Sequence, residues 1–286
     1  MYSAADFRHQ FRWCRQTEQY ARGRVPTAIK FLRWAFYQVL RRDFTFRTHD
    51  GFHFVSMPGN WSSLAIYIQN YRDPGVQRFI GRNLAPDSTF VDVGANIGTY
   101  TVLASAVVGP SGKVVAIEPH PVIFKYLQRN VAANQLQNVF AMDVAVGAKR
   151  QTALMQYSEK NPGETYITSQ FHAETTKVPM ARLDDVLSDL GILTVDYLKI
   201  DVEGYELSVL HGAKRVIDSS RNIIIQIELV DAYAERYGHS TADIAELLLS
   251  MAFIPHTVDR LGVPRVVTKE RLPDVCDTLW SRRKLL

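Results

Sequence analysis

Acidic residues end three short apolar runs in the first half of this chain. Asp92, Glu118 and Asp143 each stand at or near the end of a run rich in valine, isoleucine and alanine. Such runs predict buried strands. Because the carboxyl ends of parallel strands share one edge of a sheet, the three carboxylates are expected to lie together at a ligand site there.

The turn after Asp92 has the composition of a nucleotide-cofactor cradle. Gly94 and Gly98 follow the strand, and residues 100–108 have the pattern of a buried helix. Glycine lets a ligand approach the backbone, and a helix start presents unpaired N–H groups. A dinucleotide fingerprint would read G-x-G-x-x-G, but Asn96 replaces its second glycine and the third is missing. With a carboxylate beside it, the turn favours a positively charged cofactor such as S-adenosylmethionine.

The other two acids suit the adenosine part of such a cofactor. Glu118 could accept hydrogen bonds from both ribose hydroxyls, and charge-assisted bonds of this kind contribute about 1.5–3 kcal/mol each. Asp143 could accept from the exocyclic amine of adenine, while the Val144 N–H contacts the ring.

A second acidic group lies further along the chain. Lys199 and Asp201 are two residues apart on a predicted strand and share a face, with Glu203 in the following turn. Glu228 ends the next predicted strand, so adjacent strands would bring the three carboxylates together beside the methyl group to be transferred. Crowded carboxylates raise one another's pKa, which would suit Asp201 or Glu203 as the base that takes a hydroxyl proton.

This group has two other interpretations. Lys199 could neutralise the carboxylates in a structural ion pair. Alternatively, Asp201, Glu203 and Glu228 could hold Mg²⁺ or another hard divalent cation that orients and acidifies the acceptor. The sequence favours the base and leaves both alternatives open.

Two blocks of the sequence resemble a known family. Residues 91–98 read VDVGANIG, Glu118-Pro119 follows, and residues 198–213 read LKIDVEGYELSVLHGA. Over residues 79–280 the chain resembles the FkbM family of S-adenosylmethionine-dependent O-methyltransferases. The resemblance implies a class I methyltransferase, Rossmann-like fold with seven strands, the last antiparallel, and a small-molecule or glycan hydroxyl acceptor such as a sugar or polyketide. The predicted cofactor-binding residues are then Asp92, Gly94, Ala95, Asn96, Gly98, Glu118, Pro119, Asp143 and Val144.

The segments that position these residues alternate between strand and helix. Predicted strands cover residues 89–93, 113–118, 139–143, 195–201, 222–228, 253–258 and 277–280. Predicted helices cover residues 100–108, 121–134, 205–218 and 241–251, another follows Asp73-Pro74, and Asp50-Gly51 predicts a hairpin. This order predicts an α/β fold with a mostly parallel sheet and helices on both faces. Residues 147–182 break the rhythm and predict either a lid, with polar residues 158–165 in it, or a β-hairpin excursion.

The first 45 residues predict a basic helical extension, and residues 46–286 predict the methyltransferase domain. Up to Arg47 the chain has ten lysines or arginines and three acids. Residues 28–40 show apolar residues at helical spacing, which suits an anionic membrane surface, the main domain or a second subunit in a homodimer. No nucleic-acid-binding motif accompanies the charge.

Length and composition limit the remaining possibilities. The 286 residues contain 47% hydrophobic residues and no apolar run long enough for a bilayer, and no signal peptide is evident. Cys14 and Cys276 show no disulfide or metal-binding pattern, so a cytoplasmic protein, with or without peripheral membrane contact, is expected. An NAD-linked oxidoreductase and a non-catalytic cofactor-binding module are the alternative functions.

Overall fold

The computed structural model describes residues 4–71, 73–157, 165–171, 174–272 and 275–285. In these residues the α-helices are α1 (Ala4–Cys14), α2 (Glu18–Arg22), α3 (Arg24–Val39), α4 (Trp61–Gln69), α5 (Pro74–Asn83), α6 (Thr99–Val108), α7 (Pro121–Ala133), α8 (Leu183–Asp189), α9 (Glu206–Gly212), α10 (Lys214–Ser219), α11 (Asp231–Ala234) and α12 (Thr241–Ser250). The strands are β1 (Thr45–Arg47), β2 (His53–Val55), β3 (Thr89–Val93), β4 (Lys113–Ile117), β5 (Val139–Met142), β6 (Ala145–Val146), β7 (Gln151–Gln156), β8 (Tyr166–Thr168), β9 (Thr175–Ala181), β10 (Tyr197–Ile200), β11 (Ile224–Val230), β12 (Ile254–Val258), β13 (Pro264–Val266) and β14 (Val275–Ser281).

The central sheet has the predicted class I methyltransferase topology. Its strand order is β13-β12-β14-β11-β10-β3-β4-β5. Strands β5, β4, β3, β10 and β11 are parallel, and β14 inserts antiparallel between β11 and β12. All seven predicted strands are present. The sheet as described has an eighth, β13, which extends the edge antiparallel to β12 and was not predicted.

The strand register aligns the residues at the carboxyl edge. Ile117 of β4 pairs with Val93 of β3 and with Met142 of β5, while Ile200 of β10 pairs with Val93 and with Ile227 of β11. The residues that follow these five form the next row across the sheet. In spatial order they are Asp143, Glu118, Gly94, Asp201 and Glu228. One row of backbone positions therefore carries four acids and a glycine.

Helices cover both faces of this sheet, and local capping starts two of them. Asp73 caps α5 by accepting from the N–H groups of Gly75 and Val76, with Pro74 in the first turn. His120 caps α7 in the same way through Nδ1. Apolar side chains from both faces of the sheet are fully buried in the core, among them Phe90 and Trp280.

The predicted helix over residues 205–218 is interrupted. Two helices, α9 and α10, meet at Ala213, because the chain makes close tertiary contacts here. A Cβ on Gly212 would lie 2.1 Å from the carbonyl oxygen of Gly147, so the end of α9 packs directly on another backbone segment. Asp184 then accepts from the N–H groups of Arg215 and Val216 at 3.1 and 2.9 Å and caps α10 as a new helix.

Residues 147–182 belong largely to a second sheet of order β6-β9-β7-β8. β7 is antiparallel to both β9 and β8, which agrees with the hairpin alternative, while β6 runs parallel to β9. Residues 158–164 of the predicted lid lie outside the described residues. The start of β8 and part of β7 nevertheless line the cavity described below, so this sheet also contributes to the site.

The N-terminal helices pack on the rest of the chain. Phe31 and Trp34 of α3 join Leu64 and Tyr67 of α4 in a buried cluster, and Phe44 completes it before the predicted hairpin β1–β2. β2 in turn is held to α7, because Val55 N–H and His53 N–H donate to the side chains of Asn130 and Asn134. Within the described residues, no helix is both long enough and apolar enough to cross a bilayer.

Candidate active site

A cavity of about 440 Å³ lies at the carboxyl ends of β3, β4, β10 and β11. This volume is within the range of about 300–1,000 Å³ that is typical of ligand-binding pockets. The predicted site residues that line the cavity are Gly94, Asn96, Glu118, Pro119, Val144, Asp201, Glu203 and Glu228. Those that do not are Asp92, Ala95, Gly98, Asp143 and Lys199.

Gly94 makes the turn out of β3 fit against the neighbouring strand. Its φ is +78°, and a Cβ there would lie 1.8 Å from the carbonyl oxygen of Asp201. The N–H groups of Gly94 and Ala95 both donate to the Ile117 carbonyl, at 3.0 and 2.9 Å. A side chain at position 94 would therefore separate β3 from β10 just where the cavity begins.

Asn96 and Gly98 complete this turn in different ways. Asn96 has a left-handed backbone with φ +51°, and its Oδ1 accepts from Ile97 N and from Asn60 Nδ2 at 2.9 and 2.8 Å. Gly98, with φ +91°, starts α6 behind the cavity, where a Cβ would lie 2.8 Å from Leu127. Sequence reasoning missed the contribution of Asn60, which is fully buried.

Glu118 is the buried acid of the cavity. Its Oε2 accepts from Asn96 N at 3.0 Å and its Oε1 from His120 N at 2.9 Å. Burial raises the pKa of Glu118 to about 7, and nearby Asp92 adds to the rise, although the two backbone N–H groups and Lys199 oppose it. Each carboxylate oxygen can accept a further bond, so Glu118 still has acceptor capacity toward the cavity.

His120 is buried next to Glu118 in the chain but does not line the cavity itself. Its ring stacks on Tyr157, with centroids 4.4 Å apart and planes 14° apart. Burial lowers the pKa of His120 to about 4, so the imidazole is neutral at physiological pH. It therefore contributes a cap and a flat aromatic surface rather than charge.

Asp92 and Lys199 belong to a buried ion-pair group behind the cavity. Lys199 Nζ lies 3.5 Å from Asp92 Oδ1 and 3.3 Å from Asp201 Oδ2, and 5.1 Å from the centre of the Tyr100 ring. Asp92 also accepts from Thr101 Oγ1 at 2.7 Å. Asp92 does not line the cavity, because β3 continues to Val93 and Asp92 is registered with Lys199, two rows before the edge. Its contact with a bound cofactor stays a prediction. Lys199 thus forms ion pairs with Asp92 and Asp201, as in the alternative interpretation of this group.

Asp143 does not line the cavity either. It follows β5 in the row of edge residues, but its side chain is exposed to solvent. Val144, the next residue, does line the cavity. Both residues lie in the short connection between β5 and β6, and only Val144 reaches the site.

The structure brings Asp201, Glu203 and Glu228 together. One carboxylate oxygen from each lies within 4.8 Å of the others, and all three residues line the cavity. Glu203 has φ +56°, a left-handed conformation that is costly for a residue with a side chain. Gly204 follows with φ +101°, and a Cβ there would lie 2.3 Å from the Tyr233 carbonyl oxygen.

Glu206 stabilises this turn through hydrogen bonds to its backbone. Its Oε1 accepts from Val202 N and Gly204 N, both at 3.1 Å, and burial raises the pKa of Glu206 to about 7. Sequence reasoning missed this residue. The available signal was an acid two residues after a glycine at a helix start, a spacing that suits capture of loop N–H groups.

The N-terminal helix α1 supplies another wall, which was not predicted. Gln10 is 5% exposed, lines the cavity, and its buried Oε1 accepts no hydrogen bond from the described part of the chain. Asp6 and His9 lie on the same helix at the exposed rim. Trp61 of α4 stands beside them, with its ring 5.8 Å from that of His9. Helix α1 thus lies next to the start of α4, although the two are about fifty residues apart in the sequence.

Three tyrosines face this wall from the other side. Tyr166, Tyr205 and Tyr233 line the cavity, and the guanidinium of Arg236 lies 3.9 Å from the centre of the Tyr166 ring. The hydroxyl of Tyr237 donates to the Ile167 carbonyl at 2.8 Å, which ties β8 to the segment after β11. The cavity is therefore acidic at its base and aromatic along its sides.

The sequence comparisons agree with this geometry. The profile of the Methyltransferase FkbM domain matches residues 92–255, more than half of the chain. Similar proteins include Methyltransferase sdnD of Sordaria araneosa, with 29% identity over 50% of this chain and 68% of that protein. The 31-O-demethyl-FK506 methyltransferase FkbM of Streptomyces tacrolimicus shares 27% identity over 58% of this chain and 77% of that protein. Hexuronic acid methyltransferase AglP of Haloferax volcanii shares 26% identity over 53% of this chain and 61% of that protein.

The matched residues include the edge of the sheet that carries Glu118, Asp201 and Glu228, whereas α1 and Trp61 lie before the match. A mostly parallel sheet with an inserted antiparallel strand is the fold that the family resemblance implied. By sequence match and by topology, the chain belongs to the FkbM family of methyltransferases.

Proposed function

We propose that this chain transfers a methyl group from S-adenosylmethionine to a hydroxyl oxygen of a sugar or another small molecule with several hydroxyl groups. The observation that carries the proposal is the row of edge residues. Gly94, Glu118, Asp201 and Glu228 are consecutive across the sheet and all line one cavity. This row provides a backbone cradle, a buried acceptor for hydroxyl groups and an acidic group within one volume.

The residues around Gly94 and Glu118 fit the adenosyl cofactor. Gly94 leaves no side chain in the turn, and Glu118 keeps acceptor capacity after taking one backbone N–H on each oxygen. Ribose hydroxyls that donate to Glu118 would offset the unfavourable burial of its charge. When bound, S-adenosylmethionine supplies an electrophilic methyl group on a sulfonium. Val144 and Pro119, which both line the cavity, would form the apolar wall for the adenine.

The acidic group at the base of the cavity would receive the acceptor. Asp201 already shares the buried Lys199 with Asp92, so its charge serves the ion-pair group. Glu203 is held in a strained left-handed conformation beside Glu228, and strain of this kind concentrates at functional sites. We assign Glu203 as the base that accepts the proton of the acceptor hydroxyl, and Glu228 as the residue that positions this hydroxyl. A base at this position would contribute about 10²–10⁴-fold to the rate, in addition to positioning.

A hard divalent cation is the alternative for the same three oxygens. Carboxylate ligand atoms within 4.8 Å of one another suit such an ion, which would orient and acidify the acceptor in place of a protein base. Exhaustive chelation separates the two proposals. Unchanged turnover supports Glu203 as the base, and turnover that is lost and then restored by Mg²⁺ supports the cation.

The walls away from the sheet support an acceptor rich in hydroxyl groups. Trp61 offers an aromatic face, and the buried Oε1 of Gln10 can accept a hydrogen bond from a ligand. Asp6 at the rim adds a carboxylate. Aromatic faces combined with amide and carboxylate groups suit a sugar ring, and among the relatives AglP is named for hexuronic acid and FkbM for a hydroxyl position of FK506.

The test is turnover of the intact chain with S-adenosylmethionine and a panel of sugars, glycolipids and macrolides, read by mass spectrometry. Glu203→Gln should lower kcat by about 10²–10⁴-fold with little change in S-adenosylhomocysteine affinity. Glu235→Gln, an exposed acid on the nearby 3₁₀ helix, is the matched control and should behave like the parent. Activity of Glu203→Gln within threefold of the parent would remove Glu203 from the role of base.

The acceptor wall has its own test. Gln10→Ala and Trp61→Ala should raise the KM for the acceptor while leaving the affinity for S-adenosylhomocysteine unchanged. If both variants keep the parent KM, then α1 and α4 enclose the cavity without recognising the acceptor.

The two other functions make different predictions. An NAD-linked oxidoreductase needs the pyrophosphate to approach the turn, but the Asn96 side chain stands there, bonded to Asn60. Titration with NAD should therefore produce no binding. A non-catalytic module would bind S-adenosylhomocysteine and show no transfer to any acceptor in the panel.

A further inference from the structure

Helix α3 has two apolar faces, and the residues that the structure describes cover only one of them. Phe31 and Trp34 point into the N-terminal cluster and are buried. A second stripe faces solvent with exposures between 60 and 69%, and its members are Val25, Ile29, Leu32, Phe36 and Val39. Steps of four, three, four and three residues keep the stripe along one side of the helix. Five large apolar side chains in one exposed stripe indicate a binding surface rather than isolated surface residues.

The surroundings of the stripe are basic. Residues 24–39 contain no Asp or Glu, and Arg24 and Arg33 are exposed beside the stripe. The Arg33 guanidinium lies over the rings of Phe44 and Tyr37, 5.2 and 6.0 Å from their centres, and keeps its charge there. Arg41 and Arg42 follow directly after the helix and are also exposed. The docking face is defined here as the five apolar residues together with these four arginines.

The carboxylates closest to α3 in sequence on either side, Glu18 and Asp43, are engaged elsewhere. Asp43 accepts from Arg129 Nη1 at 2.6 Å. Glu18 lies 3.4 Å from the guanidinium groups of both Arg22 and Arg78. They can therefore do little to neutralise the docking face, whose four arginines would complement negative charge on a partner.

These charges decide between the partners that an apolar helix face could have. A second copy would bring the same arginines against one another, with no acid on either helix to separate them. A nucleic acid would supply phosphates but would leave the five apolar side chains in water. An anionic lipid surface supplies both hydrocarbon and negative charge.

We propose that the docking face binds this protein to an anionic lipid surface, with α3 lying in the plane of the interface. The 16 residues of α3 span about 24 Å, so all five apolar side chains can enter the same lipid layer. The inner face remains packed against α4, and Lys30 Nζ donates to the Tyr67 carbonyl on that side. The helix therefore does not have to unfold or leave the protein in order to bind. The proposal is independent of the acceptor and of the methyl transfer.

The test is sedimentation of the full chain with phosphatidylcholine vesicles that contain or lack phosphatidylglycerol. The parent should bind the anionic vesicles and lose binding at high salt. Leu32→Ser with Phe36→Ser should reduce vesicle binding by more than tenfold. Arg41→Gln and Arg42→Gln should each reduce vesicle binding by about fivefold, because a basic residue near an anionic surface contributes about 1 kcal/mol to binding.

Controls distinguish this surface from general hydrophobicity. Leu193→Ser removes an apolar side chain that is 77% exposed at a distant loop and should leave vesicle binding unchanged. All the altered residues are exposed, so unfolding midpoints and S-adenosylhomocysteine binding should match the parent. Equal vesicle binding by parent and Leu32→Ser/Phe36→Ser would overturn the proposal. It would also be overturned by a parent dimer that ignores vesicles and dissociates in that variant, since the face would then join two copies.

Discussion

Glu118 allows the proposed cofactor site to be tested through pH. Burial raises its pKa from an ordinary value of 4.5 to about 7. The ionised carboxylate therefore opposes folding of the free protein, and stability falls as pH rises from 4.5 to 7. At about 1.4 kcal/mol per pH unit, ionisation of Glu118 lowers the free energy of unfolding by about 3 kcal/mol, and this loss is fully present above pH 7. A ligand that donates hydroxyl groups to this carboxylate binds its ionised form.

Affinity for S-adenosylhomocysteine should depend on pH in the direction opposite to stability. Below pH 7 the free protein must release a proton from Glu118 before it binds, so affinity for S-adenosylhomocysteine should rise with pH and level off above 7. The ionised fraction is about one in eleven at pH 6 and about ten in eleven at pH 8, which predicts about tenfold weaker binding at pH 6. His120, with its pKa lowered to about 4, does not titrate in this range.

The assay is isothermal titration calorimetry with S-adenosylhomocysteine between pH 5.5 and 8.5, in two buffers of different ionisation enthalpy. Near pH 7 the difference between the buffers should report release of about half a proton. Glu118→Gln should bind at least tenfold more weakly at pH 8, because one charged acceptor of two hydroxyls is lost. Its affinity should also be independent of pH over this range.

Glu206 provides the matched control. Burial raises its pKa to about 7 as well, but its bonded oxygen faces the N–H groups of Val202 and Gly204 and the residue does not line the cavity. Glu206→Gln should retain the pH dependence of binding. A pH-independent affinity in the parent, or equal affinity in Glu118→Gln, would refute the role assigned to Glu118.

Two further substitutions test the framework around the cavity. Lys199→Met should lower the free energy of unfolding at pH 7 by about 3–5 kcal/mol in urea titrations, because buried Asp92 and Asp201 lose their shared cation; a loss below about 1 kcal/mol would contradict the ion-pair assignment. Gly94→Ala should abolish S-adenosylhomocysteine binding, since its Cβ would lie 1.8 Å from a carbonyl oxygen. Gly191→Ala is the control, because Gly191 also has a positive φ but a Cβ there would meet no atom within 4 Å. It should lower the free energy of unfolding by about 1–2 kcal/mol and leave S-adenosylhomocysteine binding intact. A similar loss of binding in both variants would exclude a steric cause at Gly94.

The strands and the acidic row could be predicted because they depend on short patterns. Apolar runs that end in Glu118, Asp201 and Glu228 specify parallel strands, and parallel strands align their ends. The same reasoning did not anticipate the ion pair of Asp92 with Lys199, because the apolar run does not show that Asp92 lies two residues before the edge row. It could not show that the Asp143 side chain faces solvent, because an apolar run does not indicate which way the residue after it points.

The acceptor wall could not be predicted from local patterns. Gln10 lies on a helix with a buried face and Trp61 starts a helix that is buried nearly all round, and neither sequence shows which distant segment covers it. Likewise, α3 has two apolar faces, and sequence periodicity could not tell the face that packs on α4 from the one that reaches solvent. Ala213 interrupts a continuous helical pattern because Asp184, 29 residues earlier, caps the second half. These features depend on long-range contacts.

The central claim is transfer of a methyl group to oxygen at the acidic base of this cavity. Its most direct measurement is carbon NMR of reactions that contain S-adenosylmethionine labelled with ¹³C in the methyl group, the intact chain and each acceptor of the sugar and macrolide panel. The account predicts a new methoxy signal on one acceptor, with kcat reduced by about 10²–10⁴-fold in Glu203→Gln under the base mechanism. A labelled methyl group on nitrogen, carbon or sulfur, or no transfer to any hydroxyl by a chain that binds the cofactor, would contradict it.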